Sequence, residues 1–323
     1  MRPDENPVHK LCQQLGILFT VIDCGSGGDD GLGLTNIFPF TSIHAIEPRS
    51  DSTNPPINFY QGGRRISHDV ALAPENGVKT LYVTRIPEAS SLLRPCVKNV
   101  MRWRTDDALD VLEERQINCQ TLEDFARIQQ VTSCDLFKLD TQGTELDILL
   151  SGKDLVSKTG VILMEIEFVQ LYEKQHLFGD VVGELSKLGF RFVNFLHGHS
   201  AGQDTRGYAP QKRIWCDTLF IRDDETVGIS EAIRSGIILC ELGYLIEARW
   251  FMEDRQVPEE TIVKIMTAYK HLNLLKSGAF TRRVLYPFGV FIKRNVFFGR
   301  GPLIRIMSKF SFGRFLIQLL QRP

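Results

Sequence analysis

The chain has 323 residues, of which 43% are hydrophobic, and a net charge of −1; this is the composition of a globular protein with one large core and residues left for an appended segment. Its seven cysteines are widely spread and form no CxxC pair, which argues against a disulfide framework and a zinc knuckle and favours a reducing, cytoplasmic environment. No apolar stretch follows a basic start, and no run reaches about 18 apolar residues, so neither secretion nor a membrane span is predicted.

Short apolar runs rich in Val, Ile and Phe recur through the chain and are separated by amphipathic stretches, which is the pattern of repeated strand and helix units. The predicted strands are 17–24, 42–48, 65–73, 134–140, 160–168, 189–196 and 216–222. Their near-continuous apolarity indicates a mostly parallel sheet with helices on both faces. The fold class predicted from this pattern is therefore a doubly wound α/β fold with a seven-stranded sheet.

The segments between these strands predict the remaining organisation. Helical spacing of apolar residues predicts helices at 107–116, 145–152, 170–189, 230–254 and 258–275. An additional strand at 79–84 resembles an insertion, and residues 197–213 have the composition of a long loop. Because the sheet pattern stops near residue 224, we expect an α/β domain over 1–223 and a helical extension over 224–323.

Acidic and glycine residues stand at the ends of the first two predicted strands. The first strand ends in Asp23-Cys24-Gly25-Ser26-Gly27-Gly28, and the second ends in Glu47. Gly25 and Gly27 let the backbone approach a ligand, and Asp23 can accept hydrogen bonds from an ammonium group. A carboxylate at Glu47 can accept hydrogen bonds from both hydroxyls of a ribose. The pair predicts a site for a nucleoside cofactor.

A dinucleotide is the alternative ligand for such a turn, but the sequence departs from the GxGxxG pattern. Asp30 occupies the position of the third glycine, and Asp29 precedes it. Two carboxylates would repel a pyrophosphate, whereas a cationic sulfonium cofactor meets no such repulsion. The turn could also simply join a strand to a helix. Asp69 lies near the end of the third strand. It could hold an adenine amino group, or it could be an ordinary surface residue without a role in the site.

The fourth predicted strand runs into the segment FKLDTQGTELDILL and places Asp140 at the carboxyl edge of the sheet, where ligands bind in open α/β folds. Glu145 and Asp147 follow in the first turn of a helix, where they could act in the site or only complement the helix dipole. Lys138, inside the strand, could orient a carboxylate or be a structural lysine.

Several strings in this order resemble the FkbM family of methyltransferases. They are VIDCGSGG, AIEP, DVALAPENGVKTLYVTRIPEASSLL, CQTLEDF, LFKLDTQGTELDILLSG and VILMEIEFVQLYEKQHLFGDVVGELSKLGFRFV. The resemblance covers about residues 20–222. It implies a Rossmann-like class I methyltransferase fold, S-adenosylmethionine as the methyl donor, and a hydroxyl acceptor on a sugar, glycan or related metabolite. The cofactor roles that it implies fall on Asp23, Gly25, Gly27, Glu47, Asp69 and Asp140.

Transfer of a methyl group to a hydroxyl requires a base within hydrogen-bond reach of the acceptor. Asp140 and Glu145 are the first candidates, and Glu165 at the end of the fifth predicted strand is the next. His197 and His199 stand in the predicted loop, but no third ligand occurs at a recognisable spacing, so no metal site is predicted.

The C-terminal region is strongly basic, because residues 261–323 contain 12 Lys or Arg and no acid. From residue 282 onward this tail mixes basic with aromatic residues, which suits an anionic membrane surface or packing on the catalytic domain or on a second copy of the chain. The first option would place the enzyme at the inner face of a membrane. No nucleic-acid partner is predicted. Two other functions stay open: an inactive cofactor-binding scaffold and a nicotinamide-dependent oxidoreductase.

Overall fold

A computed structural model describes the fold of the chain. The described residues are 6–25, 33–48, 63–96, 98–99, 107–201 and 212–276. The chain divides into two compact units, residues 1–266 and 267–323. The described part of the second unit is the end of one helix. The division of the chain after residue 223 therefore stays a prediction, and the basic tail from residue 282 lies outside the described residues.

The described residues form ten strands and eight α-helices. The strands are β1 Phe19–Cys24, β2 Thr41–Ile46, β3 Arg64–His68, β4 Ala71–Leu72, β5 Gly77–Thr84, β6 Val111–Gln120, β7 Cys134–Leu139, β8 Thr159–Glu167, β9 Phe190–Ala201 and β10 Lys212–Arg222. The helices are α1 Pro7–Leu15, α2 Leu122–Gln129, α3 Glu145–Leu150, α4 Lys153–Val156, α5 Phe178–Lys187, α6 Ile229–Glu241, α7 Leu245–Asp254 and α8 Glu259–Lys276. Two short 3-10 helices lie at Phe38–Phe40 and Pro87–Ala89.

Seven of the strands form the main sheet in the order β3-β2-β1-β7-β8-β10-β9. Neighbouring strands are parallel from β3 to β8, whereas β10 is antiparallel to both β8 and β9. All nine residues of β8 are buried, because helices cover the sheet on both faces. The predicted seven-stranded, mostly parallel sheet of Rossmann-like methyltransferase type is confirmed.

One face of the sheet carries the largest apolar core, which α2, α3 and α5 complete. Phe125, Phe137, Ile162 and Leu185 are fully buried in it. On the other face α6 contacts β7 and β8, and Arg234 of α6 forms an ion pair of 2.6 Å with Asp135. These contacts hold β7 and β8 in the middle of the molecule, so their carboxyl ends have a fixed place.

A second, three-stranded sheet with the order β4-β6-β5 is inserted between β3 and β7. The predicted helix at 107–116 is wrong, because residues 111–120 form β6. They pair with β5 in antiparallel register, and Gln116 donates a hydrogen bond of 2.9 Å to Thr80 across the strands. Most of β6 is exposed on both faces, so its sequence lacks the apolar alternation that marks a strand.

Other predictions differ from the structure mainly in their bounds. The predicted strand 65–73 is split into β3 and β4, which belong to different sheets. The predicted helix 170–189 begins only at Phe178, and the helix 230–254 is interrupted at Gly243, whose φ is +91°. The predicted loop 197–213 is shorter, because β9 extends to Ala201 and β10 begins at Lys212. The helices α1 and α2 were not predicted.

Replacement of Phe137 by alanine is expected to lower the free energy of unfolding by about 3–5 kcal/mol, because it opens a cavity between β7 and the helices above it. The same truncation at Leu112, which is exposed on β6, should change it by less than about 0.5 kcal/mol. Urea denaturation of both variants measures the difference. Equal destabilisation of the two would contradict the position of the core.

Candidate active site

A pocket of about 450 Å³ lies at the carboxyl ends of β1, β2 and β7. Its floor consists of residues at these strand ends, and its roof is contributed by the second sheet and the segment that follows β5. The polar and glycine residues that line it are Gly25, Glu47, Glu88, Ser90, Ser91, Lys138, Asp140, Thr141, Thr144 and Asp217. Four of the lining residues are acids and one is a lysine, so the pocket favours ligands that carry positive charge.

The end of β1 touches the end of β7 at Gly25. The amide of Asp140 donates a hydrogen bond of 3.0 Å to the carbonyl of Cys24, and the amide of Gly25 donates one of 3.0 Å to Ile46. Gly25 has a φ of +80°, and a Cβ there would lie 1.9 Å from the carbonyl oxygen of Asp140. Only glycine fits this position, because of the Asp140 backbone, and the approach of a ligand to Gly25 stays a prediction.

Beside Gly25, one lysine lies between two acids. The ammonium group of Lys138 is 3.7 Å from Asp23 Oδ1 and 3.8 Å from Asp140 Oδ2. Asp23 is only 1% exposed, and among the described residues neither of its oxygens has a hydrogen-bond partner. Burial raises the pKa of Asp23, and the charges of Lys138 and Arg65 oppose that rise. Of the two readings of Lys138, this geometry favours the one in which it orients carboxylates.

The other predicted cofactor residues lie in different surroundings. Glu47 directly follows β2, is half-buried and lines the pocket, as its position at a strand end predicted. Asp69 follows β3 but is exposed, and it is absent from the pocket lining, to which its neighbour Val70 contributes. Gly27 lies outside the described residues. The adenine role of Asp69 stays a prediction.

A glutamine joins two of the predicted acids. The side-chain amide of Gln142 donates hydrogen bonds of 2.9 Å to Asp140 Oδ1 and 2.8 Å to Glu165 Oε1. The hydroxyl of Tyr172 is 2.9 Å from Gln142 Oε1 and 2.8 Å from the carbonyl of Ala89. Burial raises the pKa of Glu165 well above its usual value, and the charge of Asp140 adds to the rise. Asp140 lines the pocket, whereas Glu165 lies behind it.

Glu145 is buried beside the loop between β7 and α3. One of its oxygens accepts hydrogen bonds from the amide of Thr141 at 2.7 Å and from the hydroxyl of the same residue at 3.0 Å, and the other accepts one from the amide of Gly143 at 2.9 Å. Burial raises the pKa of Glu145 to about 7. Its carboxyl group does not line the pocket. A direct catalytic role of Glu145 therefore stays a prediction, while its contacts give it a part in holding the loop.

Sequence reasoning missed three residues of this region. Asp217 lines the pocket and pairs with Glu165 across β8 and β10, and burial raises its pKa. Gln142 and Tyr172 were inside the strings that resemble the FkbM family, but uncharged side chains gave no signal of their contacts.

His197 is exposed, and the side chain of His199 lies outside the described residues. In the described part of the chain, no group of three or more His, Cys, Asp or Glu is placed to hold a metal.

The model of the methyltransferase FkbM domain matches residues 37–192, from just before β2 to the start of β9. The chain contains an FkbM methyltransferase domain. S-adenosylmethionine is the cofactor of this methyltransferase domain. No curated protein matches the sequence of the chain significantly.

Two solved structures resemble the chain that contains the FkbM domain, both at low sequence identity. One is the magnesium protoporphyrin IX methyltransferase of Synechocystis PCC 6803 with bound S-adenosylmethionine, at 12% identity and a TM-score of 0.30, covering 68% of this chain and 78% of that chain. The other is a proposed RNA methyltransferase of Pyrococcus horikoshii, at 10% identity and a TM-score of 0.28, covering 70% of this chain and 86% of that chain. The family match and the strand order are the stronger observations.

Replacement of Gly25 by alanine is expected to abolish cofactor binding, because its Cβ would collide with the Asp140 carbonyl and push apart the ends of β1 and β7. Gly16 is a matched control, since its φ is +61° but nothing lies within 4 Å of a Cβ there. Gly16→Ala should cost about 1 kcal/mol of stability through backbone strain and leave binding intact. Calorimetry with S-adenosylmethionine distinguishes the two variants, and unchanged binding by Gly25→Ala would contradict the close contact.

The raised pKa of Glu145 predicts a pH dependence of stability. In the folded protein Glu145 keeps its proton up to a pH of about 7, whereas in the unfolded chain it loses the proton near pH 4.3. Its contribution to stability is therefore full below about pH 4 and is lost as the pH rises to about 7. The free energy of unfolding of the wild type should fall over this range relative to that of Glu145→Gln. Parallel profiles would contradict this, and Glu123→Gln, exposed on α2, is the control.

None of the described helices combines the length and the apolarity that a membrane span requires.

Proposed function

We propose that this FkbM domain transfers a methyl group from S-adenosylmethionine to a hydroxyl group of a sugar, a glycan or a related metabolite. The observation that supports this most is the position of Asp140. Its carboxylate is half-buried, lines the pocket and stands at the carboxyl edge of the sheet beside the close contact at Gly25. A carboxylate in that place can take the proton that an acceptor hydroxyl loses.

The charges of the pocket fit the cofactor. Among the described residues that line the pocket, Glu47, Glu88, Asp140 and Asp217 are acids and Lys138 is the one base. A sulfonium nucleoside carries positive charge on its sulfur and on its ammonium group, so it is attracted to such a pocket, whereas a pyrophosphate would be repelled. This difference favours a methyltransferase over a nicotinamide-dependent oxidoreductase.

Two of the predicted cofactor residues, Gly25 and Glu47, line the pocket and support this ligand. Gly25 lines it without a side chain, so its backbone is open to a ligand at the strand end. Glu47 follows β2 and can accept hydrogen bonds from ribose hydroxyls. Asp23 does not line the pocket, and we assign the ammonium group to it because its two oxygens accept no hydrogen bond from the described residues.

The chemistry of the reaction gives the protein a limited task. When bound, S-adenosylmethionine supplies a methyl group on a positively charged sulfur, and no charge has to be created in the transfer. The protein gains most by aligning the acceptor oxygen and excluding water from it. Asp140 is the residue that orients the acceptor hydroxyl and receives its proton.

The proposals for the acceptor and for the cellular location of the enzyme are based on the sequence. The basic, aromatic-rich residues 282–323 support a cytoplasmic enzyme that associates peripherally with the inner face of an anionic membrane. Such a location would bring the domain close to lipid-linked glycans. The alternative partner of this tail is a second copy of the chain, on which its aromatic residues would pack.

Two substitutions separate cofactor binding from the transfer step. Glu47→Gln should weaken the binding of S-adenosylmethionine by about 10- to 100-fold, because it removes hydrogen bonds to a charged group. Asp140→Asn should lower the rate of methyl transfer at saturating cofactor by about 10²- to 10⁴-fold, because it removes the base. Calorimetry measures the first effect, and transfer of a labelled methyl group to cell-envelope extract measures the second.

The matched control is Glu113→Gln, because Glu113 is exposed on β6 and does not line the pocket. It should leave both quantities unchanged. Binding of NADH but not of S-adenosylmethionine by the wild type would refute the proposed cofactor chemistry. Cofactor binding without transfer to any component of the extract would instead favour a scaffold.

A further inference from the structure

Gln142 is the residue at which four segments of the domain meet beside the pocket. Its amide nitrogen bonds Asp140 after β7 and Glu165 of β8. Its amide oxygen is in hydrogen-bond contact with Tyr172, and its carbonyl accepts a hydrogen bond of 2.8 Å from the hydroxyl of Ser91. Every polar atom of the side chain is therefore engaged.

The backbone of Gln142 indicates that these contacts are specific. Its φ is +60°, in the left-handed region that non-glycine residues seldom adopt. Such a conformation persists where the surroundings determine it, and it occurs often at functional sites. An amide is also the side chain that can donate to two carboxyl groups and accept from a hydroxyl at the same time.

We propose that Gln142 is a positioning residue for the transfer step, which fixes the rotation of the Asp140 carboxylate so that one oxygen is held by the amide and the other faces Lys138 and the pocket. This inference rests on the proposed function. Gln142 itself does not line the pocket, so it acts through Asp140.

Tyr172 completes the arrangement from the other side. Its ring is fully buried, and its hydroxyl lies 2.9 Å from Gln142 Oε1. An ionised carboxylate only accepts, so the contact with Asp140 assigns the nitrogen end of the amide to Asp140 and Glu165 and leaves the oxygen end at the hydroxyl of Tyr172. Tyr172 therefore positions Asp140 only through Gln142.

Three variants test this chain of contacts. Gln142→Met keeps the length of the side chain but removes all of its hydrogen bonds, and it should lower the rate of labelled methyl transfer at saturating S-adenosylmethionine by about 30-fold, because misplacement of a reacting group is costly. The Kd of the cofactor should change by less than about threefold, since Gly25 and Glu47 keep their places. Tyr172→Phe should lower the rate by about three- to fivefold. The double variant should be no slower than Gln142→Met alone.

Gln130 provides the matched control, because it has the same residue type and a φ of +56° but is exposed at the end of α2. Gln130→Met should leave the rate unchanged. A wild-type rate in Gln142→Met, or an equal loss in Gln130→Met, would overturn the proposal. So would single effects that multiply in the double variant, since the two residues would then act independently.

The same variants also test the proposal in two further cases. If Gln142→Met does not fold, as thermal denaturation would show, Tyr172→Phe carries the test alone, and an unchanged rate overturns the proposal. If the wild type transfers no methyl group, the proposed function fails, and a crystal structure of Gln142→Met decides the positioning. If the Asp140 carboxylate of that variant kept the rotation that it has in the wild type, the proposed role of Gln142 would be overturned.

Discussion

The contact between the ends of β1 and β7 is the constraint on which the site depends. Two neighbouring parallel strands end together, and the hydrogen bond from Asp140 to Cys24 continues their pairing one step beyond the sheet. The chain then turns away at Gly25, where no side chain fits against the Asp140 carbonyl. Because of this turn, the pocket opens directly above the strand ends, and Asp140 is at its edge. A side chain at residue 25 would collide with the Asp140 carbonyl and push the two strand ends apart.

A second constraint is the number of acids gathered around this opening. Asp23, Glu145, Glu165 and Glu167 are buried, and burial raises the pKa of each. The acids that line the pocket are half-buried or exposed, although burial raises the pKa of Asp217 as well, and Lys138 lies close to Asp140. Charge is thus concentrated at the wall of the pocket, while the carboxyl groups behind it are held closer to neutral by burial. This arrangement maintains an acidic pocket at lower cost than a fully ionised cluster would have.

The sequence predicted the parts of the fold whose signals are local. The strands β1, β2, β7 and β8 are continuous apolar runs, since both faces of the sheet are covered, and their ends are marked by Gly25, Glu47 and Asp140. The resemblance to the FkbM family points to the same positions, because the same strings carry it. The strand β6 has no such signal, because its side chains are exposed and its structure depends on pairing with β5. Its charged residues therefore matched helical spacing.

The roles of Gln142 and Tyr172 could not be predicted for a related reason. Neither side chain carries a charge, and their partners lie far apart in sequence. Ser91 and Ala89 belong to the segment after β5, whereas Glu165 belongs to β8. Only the folded arrangement shows that the inserted sheet, which forms the roof of the pocket, is bonded to the loop that holds Asp140. Since floor and roof share these hydrogen bonds, the shape of the acceptor side and the orientation of the carboxylate are determined together. A substitution in the roof can therefore change the transfer step without touching the strand ends that hold the cofactor.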